Sequence, residues 1–76
     1  MNYQFDPIKL HQILCKHFNL SELKSLCANL GIDHETLEGD TKTDKARELV
    51  AYCDRHGQLT ELVTTIERLR PHLEWP

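Results

Sequence analysis

A chain of 76 residues, 39% apolar and 28% charged, has material for one small globular domain with a single modest core. Nine Lys and Arg against twelve Asp and Glu leave a formal charge of −3, the wrong sign for a protein that grips duplex DNA by neutralising phosphates. The longest unbroken apolar run, Leu49–Cys53, falls far short of the ~20 residues of a membrane span.

Residues 1–20 mix Asp6, Lys9, His11 and Lys16 among the apolar positions, so they form no signal-peptide stretch. Three cysteines are an odd number without paired spacing, which fits a reducing cytoplasm better than secretion. No stretch alternates apolar and polar residues in the manner of a strand; apolar residues recur at helical spacing between capping residues.

The first helix is expected over residues 7–17. Asp6 can accept from an orphan N–H, Pro7 is tolerated at the first helical position, and Phe5 with Leu10 makes a hydrophobic staple. Ile8, Leu10, Ile13, Leu14, His17 and Phe18 are read as one broad inner face. The second helix, residues 20–30, begins after Asn19, with Glu22 as capping-box partner and Phe18 with Leu23 as staple. Its inner face is Leu23, Leu26, Cys27 and Leu30, and Gly31 ends it.

Asp33 caps a short third helix, residues 34–38, stapled by Ile32 and Leu37, before a turn at Gly39-Asp40-Thr41. Thr43 is expected to cap a fourth helix over 44–56, with Ala46, Leu49, Val50 and Cys53 inward and Gly57 closing it. Arg55 and His56 in its last turn complement the helix macrodipole. Leu59, Leu62, Val63, Ile66 and Leu69 mark a fifth helix over 60–70, stopped by Pro71. These elements predict an all-α fold: residues 1–76 as one compact antiparallel bundle of five to six helices.

Catalytic signatures are missing from this pattern. Cys15, Cys27 and Cys53 coincide with helical apolar faces or their edges, where a thiol behaves as a small hydrophobe. There is no Gly-rich phosphate loop and no nucleophile elbow, so neither an enzyme nor a cofactor is expected. His11 with Cys15 and Cys53 with His56 have helical ligand spacing, but no Cys-x-x-Cys element anchors a zinc site. The reading preferred here makes Cys53 core, His56 a helix-end cation and His11 solvated, with no metal.

Charge is laid out unevenly. Residues 33–40 carry the four acids Asp33, Glu35, Glu38 and Asp40 and no Lys or Arg, whereas 42–47 carry Lys42, Lys45 and Arg47 with Asp44 as the one acid. Such a pattern describes an ordinary solvated loop and helix start. It also describes two unlike patches through which one domain meets another head to tail. Tyr52 lies about 110° from the centre of its helix's apolar face, on a flank shared with Lys45, Glu48 and Arg55, and either edges the core or anchors an interface. Arg68 faces outward on the last helix, Arg70 serves the C-terminal dipole, and Trp75 either covers the core or joins a partner surface. A small helical nucleic-acid-binding domain using Lys42, Lys45 and Arg47 is the alternative, opposed by Asp44, Glu48 and the acidic stretch beside them.

Glu22-Leu23-Lys24-Ser25-Leu26-Cys27 followed by Leu30-Gly31-Ile32-Asp33 resembles the second helix and turn of the bacterial effector-associated domain of type 7. The run Lys45–Tyr52, then Arg55-His56-Gly57-Gln58-Leu59, Glu61-Leu62-Val63 and Leu69-Arg70-Pro71 resembles the same family, over roughly residues 8–71. The chain departs from it in having Glu38 where a proline usually precedes Gly39, and Thr41 where a glycine is common. More distantly it is similar to animal death effector domains, with residues 33–43 compressing the region of their third and fourth helices.

The resemblance implies a death-fold-like adaptor without catalysis, which associates with a like domain, possibly its own copy, to recruit effectors of bacterial defence. It involves neither nucleic acid nor membrane. The candidate partner-binding residues are Asp33, Glu35, Glu38, Asp40, Lys42, Lys45, Glu48, Tyr52, Arg55 and Arg68.

Overall fold

A computed structural model describes residues 6–72; Phe5 and Trp75 lie outside them. Among these residues the chain forms four α-helices and one short 3-10 turn: α1 (Pro7–His17), α2 (Leu20–Asn29), the turn (His34–Thr36), α3 (Lys42–Arg55) and α4 (Leu59–Leu69). The expected five to six helices are therefore corrected to four. The middle segment is too short for a helix. Ile32 and Leu37 both drop into the core, and only the three residues after Asp33 are free to coil between them.

Local signals account for most boundaries. Asp6 accepts from the Ile8 N–H at 2.9 Å, and Asn19 with Glu22 completes a reciprocal capping box at 2.8 and 2.9 Å. Helices α2 and α3 end alike, on glycines with φ of +74° (Gly31) and +68° (Gly57). Past each glycine the chain folds back, so that Ile32 N–H donates to the Cys27 carbonyl and Gln58 N–H to the Cys53 carbonyl, the six-to-one bond of a Schellman closure.

Three start and face assignments need correction. Thr41, not Thr43, caps α3, its hydroxyl accepting from the Asp44 N–H at 3.1 Å, so the helix begins at Lys42. Ile8 is exposed instead of buried: at ~100° per residue it lies about 160° from Leu10, away from the Leu10, Ile13 and Leu14 stripe. His17 is exposed because Phe18 leaves α1 in extended backbone and takes the inward place itself.

The core unites Leu10, Leu14 and Phe18 with Leu23, Leu26 and Cys27, then with Leu49, Cys53, Leu62 and Ile66. Helix α3 is its axis, packing against α1, α2 and α4, most extensively against α1. A radius of gyration of 11.3 Å agrees with the roughly 11 Å of a compact chain of this length.

Candidate interaction surface

The acidic segment is built by local bonds that leave its carboxylates outside. The Asp33 side chain accepts from the Glu35 N–H at 3.0 Å, and the Thr36 hydroxyl donates to the Asp33 carbonyl at 2.7 Å. Leu37 is buried, and the chain then passes Gly39 at φ +94° so closely to α3 that an added Cβ would lie 2.3 Å from the Asp44 Cβ. Asp33, Glu35, Glu38 and Asp40 are all exposed, and none forms an ion pair among the described residues.

The lysines beside this segment do something the charge pattern does not announce. Lys45 Nζ turns back to donate to the Leu37 carbonyl at 2.5 Å and the His34 carbonyl at 3.3 Å, clamping the loop onto α3. Lys42 Nζ donates to the Cys15 carbonyl at 2.7 Å, satisfying an acceptor near the C-terminus of α1. His11, expected to be solvated, is half-buried, with Nε2 donating to the Thr43 carbonyl at 3.1 Å and the Cys15 Sγ 3.4 Å from the same nitrogen. Spacing held part of this signal. Lys42 stands four residues before Ala46, on the buried stripe of α3 extended by one turn, so its stem was bound to point inward.

Farther along, Glu48 and Tyr52 are half-buried on α3, and Tyr52 packs against the core with its ring on His56, centroids 4.2 Å apart. Arg55 and Arg68 are exposed and form no ion pair among the described residues. Arg47 pairs with Asp44 at 3.2 Å on the surface. Arg68 borders a polar groove of about 320 Å³ whose walls include Asn29, Gln58, Glu61 and Thr64. Helix α3 has 14 residues, so the Lys42 and Arg55 backbones stand about 20 Å apart at its two ends. The structure thus exposes the four acids along the segment that leads into α3 and places Arg55 at that helix's opposite end.

Arg70 does more than serve the end of α4. Nη1 donates to the Leu69 carbonyl at 3.0 Å, Nη2 bonds the Glu22 carboxylate, and the guanidinium lies 4.5 Å from the centre of the Phe18 ring. A contact spanning 48 residues leaves no periodic trace in a sequence. The Asn19 backbone N–H and then Arg70 hold the Glu22 carboxyl below the usual carboxylate range. Burial instead pushes the Cys27 and Cys53 thiols up to about 11 each.

Among the described residues no three His, Cys, Asp or Glu side chains are grouped to hold a metal ion, and no helix is long and apolar enough to cross a membrane. No curated protein and no solved structure matches the chain. The family model described as Effector-associated domain 7 matches residues 10–71, from the first buried leucine of α1 to the proline beyond α4. With that match covering most of α1, all of α2, α3 and α4 and the acidic segment between α2 and α3, the chain belongs to the effector-associated domain 7 family.

Proposed function

We propose that this domain is a death-like adaptor without catalytic activity, which binds a like domain in the bacterial cytoplasm and so recruits an effector of a defence or signalling system. The observation that carries the reading is the division of labour among its charges. Lys42 and Lys45 spend their ammonium groups on internal carbonyls, so among the described residues the carboxylates of Asp33, Glu35, Glu38 and Asp40 have no cation paired with them. Arg55 and Arg68 present theirs to solvent elsewhere. An acidic segment and separately exposed arginines on one surface suit a heterologous, head-to-tail contact with a related domain. Glu48 and Tyr52 lie on α3 between Lys42 and Arg55, where a half-buried tyrosine can anchor a contact. The protonated state of the two buried thiols fits a domain that does no nucleophilic chemistry.

Binding to a second effector-associated domain, followed by calorimetry while salt rises from about 50 to about 500 mM, tests this. Affinity should fall steeply, and Arg55→Glu or Arg68→Glu should weaken it about tenfold at low salt. Affinity indifferent to salt and to both reversals sinks the charge mechanism. Lys42 and Lys45 make poor probes, since their substitution disturbs the fold itself.

A further inference from the structure

We infer that Cys15, set between the His11 imidazole and the Lys42 ammonium, is a modification site whose sulfur exchanges with a small disulfide at the seam between α1 and α3. The three thiols of the chain do not share one environment. Cys27 and Cys53 are sealed in the core at 1% and 0% exposure, and burial holds both as protonated thiols, with values of about 11. Cys15, in the last turn of α1, is half-buried and keeps part of its surface in water.

Two donors stand beside it. The His11 Nε2 lies 3.4 Å from the Cys15 Sγ and 3.1 Å from the Thr43 carbonyl. A carbonyl only accepts, so that nitrogen carries the proton, and the bond to Thr43 pins the ring with its N–H beside the sulfur. Helical spacing makes the pair, since His11 stands one turn before Cys15. The Lys42 ammonium donates to the carbonyl of the same cysteine at 2.7 Å. A negative sulfur in the last turn of a helix meets the negative end of the macrodipole, and this ammonium offsets that field. An N–H and an ammonium fixed in place thus complement the charge that sulfur carries when it attacks.

In the exchange the Cys15 thiol gives its proton to solvent and its sulfur bonds to one sulfur of the disulfide. The S–S bond of the reagent breaks, and the second sulfur leaves as a thiolate that takes up a proton. The cysteine is oxidised and the departing half of the reagent is reduced; a thiol added later reverses both changes. The adduct falls where His11 and Lys42 tie α1 to the start of α3. It modifies the domain without turnover, and it involves neither the acids nor the arginines that carry the adaptor reading.

The test treats the full chain with excess oxidised glutathione near neutral pH and follows intact mass and proteolytic peptides with time. The expected result is one adduct, on Cys15, formed at least about threefold faster in the folded chain than at the same residue in urea. Cys27 and Cys53 should stay free until urea exposes them, and Cys15→Ser should remove the adduct. His11→Leu should lower the Cys15 rate to that of the unfolded chain. His11→Gln, which can present an N–H in the same place, should restore much of it. Should His11→Leu fail to fold, the folded and unfolded native chains decide the matter by themselves. No adduct in the folded chain overturns the proposal, as does a first adduct on Cys27 or Cys53. A folded rate no higher than the rate in urea, or a folded His11→Leu variant reacting at full speed, overturns it equally.

Discussion

The two ends of α3 are fastened by opposite means. Its start is tied by side chains that reach across the sequence: Lys45 to the Leu37 and His34 carbonyls, Lys42 to the Cys15 carbonyl, and His11 to the Thr43 carbonyl. Its close is a backbone device, the Gly57 turn that returns Gln58 to the Cys53 carbonyl at 2.7 Å. A side-chain clamp is specific to the residues that make it, whereas a backbone closure asks only for a residue that tolerates positive φ. This contrast separates the charges that hold the molecule together from those that stay in solvent.

Glycine substitutions at the two ends give the sharpest contrast. Gly39→Ala puts a Cβ 2.3 Å from the Asp44 Cβ, an atom fixed to the first turn of α3, and adds the strain of φ +94°. We expect it to lose about 3 kcal/mol or more in urea unfolding. Gly57→Ala meets nothing within 4 Å at φ +68° and should lose only about 1 kcal/mol. Equal losses at the two positions would erase the distinction.

The cations come next in size. Lys45→Met removes the donor for two carbonyls in a partly buried clamp and should cost about 2 kcal/mol. Arg55→Met at the other end of the same helix, exposed and unpaired among the described residues, should stay within about 0.5 kcal/mol. Matched denaturation curves check the pair, and an arginine costing as much as the lysine would contradict the assignment.

A smaller effect belongs to the clasp between α4 and α2. The Glu22 carboxyl is held below its ordinary value, so its contribution is present above about pH 4.5 and lost as pH falls through its lowered folded value. Glu22→Gln should flatten the acid limb of the stability–pH profile; an unchanged limb would remove Glu22 from the account. The raised thiols act with the opposite sign. Stability should fall as pH climbs from about 9 toward about 11, because the unfolded chain releases the Cys27 and Cys53 protons first. Replacing both cysteines with alanine should remove that alkaline decline, measured relative to each protein's stability at neutral pH.

Much of the architecture could be read in advance because it depends on neighbours in sequence. Asp6, Asn19 with Glu22, Gly31 and Gly57 act within a turn of the residues they cap, and the buried stripes of α2, α3 and α4 follow the helical period. Boundaries were less legible: Thr43 was expected to cap α3, but Thr41, read as part of the preceding turn, takes that place by accepting from the Asp44 N–H. The four acids of 33–40 were legible as a group; the spacing of Lys42 from Ala46 hinted at its inward stem, but which carbonyls the two lysines find was not legible, since charge alone does not say where an ammonium will dock.

The order of residues alone therefore determined an all-helical chain, its caps and the stripe each helix buries, because those preferences are settled over three or four residues. Tertiary structure decided that Lys42 and Lys45 brace the fold, that Arg70 reaches Glu22 and Phe18, and that Ile8 stands in water beside an apolar hollow. The physical reason is reach: an ammonium, a guanidinium or an exposed methyl group takes its role from whatever packing brings within a few ångströms, and chain distance has no bearing on that.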